Sequence, residues 1–196
     1  METALTPMEF SRRAKNLYAD REAVVDGDLR FSYAEFLERC DRWSNALQKL
    51  GVKQGDRVAY IAPNTHSHLE GYYAVPQIGA VLVPINYRLQ SSDFEYILNH
   101  CGAKIVCAHP DYMDAVDEIR GQLKTIESFI ALEGSREGWL EYETTLQAHD
   151  PDFQPVSIRP DHHQLYQWNH CPTQGSDDHP SQCLHEHHGN AGASSP

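Results

Sequence analysis

The stretch from Gly55 to Leu89 constrains this chain most, because it reads as strand, helix, strand. Val58-Ala59-Tyr60-Ile61-Ala62 is a short apolar run closed by Pro63, the pattern of a strand buried on both faces. Asn64, Thr65 and Ser67 are helix N-cap residue types, and Leu69, Tyr72, Tyr73, Pro76 and Ile78 follow, with Gly79 as a stop. Pro76 has no N–H and is expected to kink or shorten that helix. A second apolar run, Ala80-Val81-Leu82-Val83-Pro84-Ile85, supplies the next strand. Two buried strands joined by one helix predict a right-handed βαβ unit in a parallel sheet.

The flanking residues extend that pattern in both directions. Residues 5 to 18 place Phe10, Ala14 and Leu17 on a helical spacing, with Thr6 as cap and Pro7 in the first turn. Ala23-Val24-Val25 and Leu29 to Tyr33 flank Asp26-Gly27-Asp28, a hairpin signal. Ser32 and Glu35 then form the capping box of a long helix whose apolar stripe is Phe36, Leu37, Cys40, Trp43, Ala46, Leu47 and Leu50, ended by Gly51. Cys40 and Trp43 sit in mid-stripe and read as core. Downstream, Ser92 is expected to cap a helix through Phe94, Ile97, Leu98 and Cys101, with Asp93 in its first turn and Gly102 closing it. Lys104 to Ala108 predicts a strand, Asp111 to Leu123 a helix, Ser128 to Leu132 a strand, and Trp139 to Leu146 a last short helix. The fold class is α/β: a largely parallel sheet with helices on both faces.

Composition narrows the function. The chain has 196 residues, of which 40% are hydrophobic, enough for one domain with a real core. A formal net charge of -12 argues against a nucleic-acid partner, which needs a basic face. No charged-then-apolar leader and no uninterrupted apolar stretch of about 20 residues is present, so a membrane span is not expected and the protein is expected to be cytoplasmic. Five cysteines, irregularly spaced, do not read as a disulfide framework.

The spacing G-D-R-V-A, then P-N, then G-A-V-x-x-P-x-N-Y-R-L, resembles the N-terminal part of the AMP-forming acyl-activating ligases. The resemblance continues through Tyr96-Ile97-Leu98-Asn99 and Gly102-Ala103-Lys104-Ile105-Val106, and covers roughly residues 5 to 158. It implies a parent enzyme that uses ATP and Mg²⁺ to turn a carboxylic acid into an acyl-adenylate, then passes the acyl group to coenzyme A. It also implies a protein much longer than this chain. The matching residues are scaffold in that superfamily, so no catalytic, cofactor-binding or metal-ligating residue is carried over.

Two pairs of polar residues stand out within the matching span. His66 and His68 follow a strand, where α/β proteins place ligands, and read either as solvated loop polarity or as a metal or catalytic pair. Asn86 and Arg88 lie in the pattern P-x-N-x-R and read as hydrogen-bonders that fix a loop, or as substrate contacts.

The character of the chain changes at about Arg159. Residues 159–196 hold seven of the twelve histidines and contain no Val, Ile, Met or Phe. Leu165 and Leu184 alone cannot offset the ordering entropy of such a segment, which is expected to be disordered. The resemblance implies a Gly-, Ser- and Thr-rich phosphate loop ending in P-K-G at this point, and in frame it is absent. Read one base later, the codons for Tyr166 to Gly175 permit T-S-G-T-T-A-R-P-K-G, and those for Ser176 to Gln182 permit V-M-I-T-H-R-N. The third position must be Gly, because the single Trp168 codon, TGG, is followed by the A of Asn169. Residues 1–158 are therefore read as an in-frame N-terminal part and 159–196 as frameshifted, leaving a chain that is inactive by itself. Two alternatives remain. The chain associates with full-length subunits without catalysing anything, or Cys171, Cys183, His185, His187 and His188 bind Zn²⁺, although their spacing matches no standard finger.

Overall fold

A Ser-capped helix rising from a tight hairpin leads into the sheet. The computed structural model describes residues 7–153. After helix α1 (Pro7–Tyr18), strands β1 (Glu22–Asp26) and β2 (Leu29–Ser32) pair antiparallel, with Asp26 opposite Leu29. Gly27 makes that turn at φ +56°, a region L side chains rarely adopt. Ser32 then caps α2 (Tyr33–Lys49): its Oγ accepts from the Glu35 N–H at 3.3 Å, while the Glu35 carboxylate accepts from the Ser32 N–H at 2.8 Å.

Five strands follow, β3 (Arg57–Ile61), β4 (Val81–Ile85), β5 (Ala103–Ala108), β6 (Ser128–Ala131) and β7 (Leu140–Glu141). They lie in the order β4-β3-β5-β6-β7, with every neighbouring pair parallel. The connections are α3 (His66–Gln77), α4 (Ser91–Cys101) and α5 (Pro110–Ile119), and α6 (Tyr142–Gln147) follows β7. The period-2 pleat splits the strand residues between two cores. Val58, Tyr60, Leu82, Ile105, Cys107 and Ile130 pack with Trp43 and Leu47 of α2, Ala74 and Val75 of α3 and Tyr142 of α6. Ala59, Ile61, Val83, Val106, Ala108 and Ala131 pack with Phe94 and Leu98 of α4 and Met113 and Val116 of α5. Helices thus cover both faces, as expected. The chain goes from β3 to β4 and then returns past β3 to β5, so the order reverses at the carboxyl ends of β3 and β5.

Several expected boundaries move. Helix α4 begins at Ser91 with Gln90 at its N-cap rather than Ser92, because the Asp93 carboxylate reaches back to the Gln90 N–H at 3.1 Å. Helix α5 begins at Pro110, capped by His109, and gives way to a 3-10 turn over Arg120–Gln122. The expected helix over Trp139 to Leu146 is a strand first. Trp139 Nε1 donates to Asp117 at 2.9 Å and Arg120 donates to the Gly138 carbonyl at 2.6 Å, which lays Leu140–Glu141 along β6 before α6 starts. In α1 the expected stripe holds only at Ala14, which is half-buried with Met8 and Ser11, while Phe10 and Leu17 are 63% and 57% exposed. Pro76 lies inside α3, which ends one residue later.

The boundary drawn at 158, the tail 159–196, its frameshift reading and its Zn²⁺ reading all lie outside the described residues, as does Thr6. Among the described residues, no helix is long and apolar enough to cross a membrane.

Candidate functional site

A cleft of about 550 Å³ lies between the β1–β2 hairpin and the segment that follows the carboxyl end of β6. The hairpin supplies Asp26, Leu29 and Phe31, α2 supplies Arg39, and α3 supplies His66. Leu132, Glu133 and Gly134, just past β6, and Glu143 of α6 complete the wall.

A chain of charges runs behind this cleft. Glu70 of α3 is fully buried, and burial pushes its carboxyl up from the ordinary value against the pull of Arg39. Arg39 donates to it through Nε at 2.6 Å and Nη2 at 3.3 Å, and the Tyr142 hydroxyl donates at 2.5 Å. The same guanidinium grips Glu143 through Nη1 at 3.0 Å and Nη2 at 2.5 Å, the two-pronged geometry that arginine is built for. Burial works against the Arg39 charge, yet its bonds to Glu143 and Glu70 hold its pKa above the ordinary value. The carboxyl of Glu143 is held at about 2, first by its bond to His66 and then by Arg39, with burial opposing.

Both histidines depart from the solvated-loop reading. His66 and His68 stand in the first turn of α3 and are only 8% and 6% exposed. Thr65 caps that turn, its side chain accepting from the His68 N–H at 3.4 Å. The His66 backbone N–H donates to Asp26 Oδ2 at 2.8 Å, its Nδ1 lies 2.8 Å from the same oxygen, and its Nε2 lies 3.6 Å from Glu143 Oε1. His68 points elsewhere. Its ring is stacked between Tyr60, at 5.3 Å, and Tyr72, at 5.2 Å, with Nδ1 3.2 Å from the Pro63 carbonyl, and burial depresses its pKa. The structure therefore separates the two residues that the sequence paired, and joins His66 to Asp26, Arg39, Glu70, Tyr142 and Glu143. The sequence gives no period or motif that would gather those five, since Arg39 and Glu143 are 104 positions apart.

Asn86 and Arg88 act on their own loop. Asn86 Oδ1 accepts from the Arg88 N–H at 3.1 Å, and the Arg88 guanidinium lies over the Tyr87 ring at 5.7 Å.

Nucleotide phosphate does not fit the cleft. Its wall carries Asp26, Glu133 and Glu143 against Arg39 and His66, so a triphosphate would meet carboxylates already engaged with the cations. Among the described residues, no three His, Cys, Asp or Glu side chains converge to share a metal ion such as Mg²⁺.

The AMP-binding enzyme family matches residues 10–182 of the chain, a span that runs past residue 158. A long-chain-fatty-acid–CoA ligase of Thermus thermophilus is 40% identical over 151 residues, covering 74% of this chain and 28% of that protein. The 4-hydroxybutyrate–CoA ligase 2 of Metallosphaera sedula is 35% identical over 122 residues, covering 62% of this chain and 22% of its own length. Among solved structures, the Mycobacterium tuberculosis fatty acyl CoA synthetase superimposes with a TM-score of 0.71 at 25% identity, over 82% of this chain and 31% of that one. This chain thus spans less than a third of the length of each of these relatives. With the parallel sheet, the helices on both faces and the family match in agreement, the chain belongs to the AMP-binding enzyme family.

Proposed function

We propose that this chain is the N-terminal scaffold of an AMP-forming acid–thiol ligase, and that the 196-residue chain alone is inactive. The whole enzyme activates a carboxylic or fatty acid with ATP and Mg²⁺ to an acyl-adenylate, then transfers the acyl group to coenzyme A, in the cytoplasm. What carries this reading is the character of the described site. Its charges are consumed in holding the hairpin, α2, α3 and α6 together, with no cradle of donors left for a phosphate. The similarity to the Thermus and Metallosphaera CoA ligases supports the reaction class.

Acid-dependent exchange of labelled pyrophosphate into ATP tests this. Removing a single preorganised donor from an active site lowers rates by about 10²–10³, so a chain without the phosphate loop should show no exchange above background. A chain continued in the shifted frame from codon 159 to the full length of its relatives should switch exchange on, across a panel of short-, medium- and long-chain acids. Exchange by the 196-residue chain itself would refute its inactivity, and failure of the restored chain on every acid would refute the reaction. Association with full-length subunits would show as co-purification of the restored chain with the short one.

A further inference from the structure

We propose that His66 is a proton-operated latch, which ties the β1–β2 hairpin to Glu143 of α6 across the mouth of the cleft when it is an imidazolium and releases that carboxylate when it is neutral, loosening α6 while Arg39 and Tyr142 still anchor it. The inference is independent of the ligase reading and rests on which atoms face one another.

The two ring nitrogens of His66 look at carboxylates on two different elements. Nδ1 is 2.8 Å from Asp26 Oδ2 at the end of β1, and Nε2 is 3.6 Å from Glu143 Oε1 in α6. A neutral imidazole has one N–H and one lone pair, so it can present a proton to only one of them; the imidazolium alone presents one to both, as a hydrogen bond to Asp26 and, at 3.6 Å, as a charge contact with Glu143. Of the remaining groups around the ring, the Glu70 carboxylate favours the cation and the Arg39 guanidinium opposes it. Arg39 from α2 is committed to Glu70 and Glu143, Glu70 lies on the same helix as His66, and the Phe31 ring of β2 closes the side at 5.7 Å. Glu133, on the far wall of the cleft, adds a further carboxylate and faces His109 Nε2 at 3.7 Å. With His66 charged, Asp26, Glu70, Glu143, Arg39 and His66 sum to -1; with it neutral they sum to -2.

The contact that is lost on deprotonation follows from the other partners. Asp26 Oδ2 keeps the His66 backbone N–H at 2.8 Å, so the Nδ1–H tautomer holds the hairpin on α3. The Nε2 lone pair is then left facing Glu143, which keeps Arg39 and turns away. Asp26 and Glu143 line the same cleft of about 550 Å³, so parting them widens its mouth. The His66 pKa is raised, mainly by Glu143, against burial and with help from Asp26. A raised closed-state value means that the latch is fully formed below the ordinary imidazole pKa and is lost as pH rises through the closed-state value. The closed-to-open ratio falls about tenfold for each unit separating the two.

Long-range ¹H–¹⁵N spectra of the histidine rings in the full 196-residue chain, titrated through neutrality, test the latch, with amide exchange followed in parallel. The expected result is a His66 ring with both nitrogens protonated below its transition and a pKa above the ordinary imidazole value. Amides of residues 142–147 should lose protection through the same transition, after correction for the intrinsic pH dependence of exchange, while those of β3 and β5 stay flat. Glu143→Gln, at a half-exposed position, should lower the His66 transition and remove the linked change in exchange. A His66 that is a single neutral tautomer at the ordinary value, or α6 exchange in the wild-type chain that ignores its titration, overturns the proposal; both readouts need no variant to fold.

Discussion

The two sides of α3 hold the fold by opposite means. Toward the sheet it buries Ala74 and Val75 among Trp43, Tyr60 and Leu82, an apolar packing in which the polar contact of Trp43 is a single bond to the Tyr60 hydroxyl at 2.8 Å. Toward the hairpin and α6 it offers His66 and Glu70 to a network of charges. Apolar packing is non-directional and follows area, whereas a buried ion pair is stable only while every partner is in place. The packed side should therefore degrade gradually when trimmed, and the charged side should fail all at once.

Arg39→Ala should show the largest effect. It strands Glu70, whose side chain is fully buried, and breaking a buried pair in this way costs about 3–5 kcal/mol. Trp43→Ala, also fully buried, should cost about as much, through the cavity it leaves. What separates the two is repair. Arg39→Met combined with Glu70→Gln should regain much of the loss, because no unpaired charge is left buried and the amide oxygen still accepts from the Tyr142 hydroxyl, whereas no change of charge rescues Trp43→Ala. Denaturant midpoints of the three variants decide it; a double variant no better than Arg39→Ala would mean that the network contributes more than the sum of its pairs.

Gly71→Ala is the next step down. A Cβ at Gly71 would lie 2.6 Å from Tyr60 Cζ and 2.8 Å from its hydroxyl. Such overpacking costs about 1–3 kcal/mol, and here it also pushes on the acceptor of the Trp43 N–H. Tyr60→Phe in the same chain should not rescue it, since the Cζ contact remains and the Trp43 N–H loses its acceptor. If Gly71→Ala is neutral on its own, α3 stands further from the sheet than the contact implies.

Acid separates the two sides without mutation. Glu143 is held at about 2, below its ordinary 4.5, first by His66 and then by Arg39. A depressed carboxylate contributes stability that is present above the ordinary value and is lost as pH falls toward the folded one. Between pH of about 4.5 and 2, amides of the hairpin and α6 should lose protection before those of β3 and β5, whose neighbours are apolar. Simultaneous loss would show that the network and the core unfold as one unit.

The same contrast explains what could be read from the chain. Strand runs placed β3 and β4 with a helix between them, and the 3.6-residue period gave the stripe of α2, whereas α3 turns Gly71, Ala74 and Val75 inward and leaves Leu69 39% exposed. A helix start set by a side chain reaching back, such as Asp93 to Gln90, lies a residue or two before the cap that the sequence suggests, and the short β7 has no strand signal of its own because its extended form depends on Asp117 and Arg120. The charged site was not legible. His66 was singled out only for following a strand, while Arg39, Glu70 and Glu143 look like ordinary solvated helix charges until the fold brings them together.

Ser32→Ala should give a small effect, and it probes the seam where the two regions meet. Ser32 ends the hairpin strand β2 and caps α2, the helix that carries both Arg39 and Trp43. Removing its hydroxyl leaves the Glu35 N–H without an acceptor but leaves the Glu35 carboxylate bonded to the Ser32 backbone N–H at 2.8 Å, so half of the capping box survives. The expected loss is about 1 kcal/mol, the usual cost of an N-cap serine. Glu35→Gln should be milder still, since an amide oxygen can accept the same backbone bond. Adding Ser32→Ala to Arg39→Ala should be additive, because the cap and the ion network share no partner. A coupling well beyond about 0.5 kcal/mol between those two changes would show that the first turn of α2 moves with the network, and that the hairpin and the charged cluster form one cooperative element rather than neighbours.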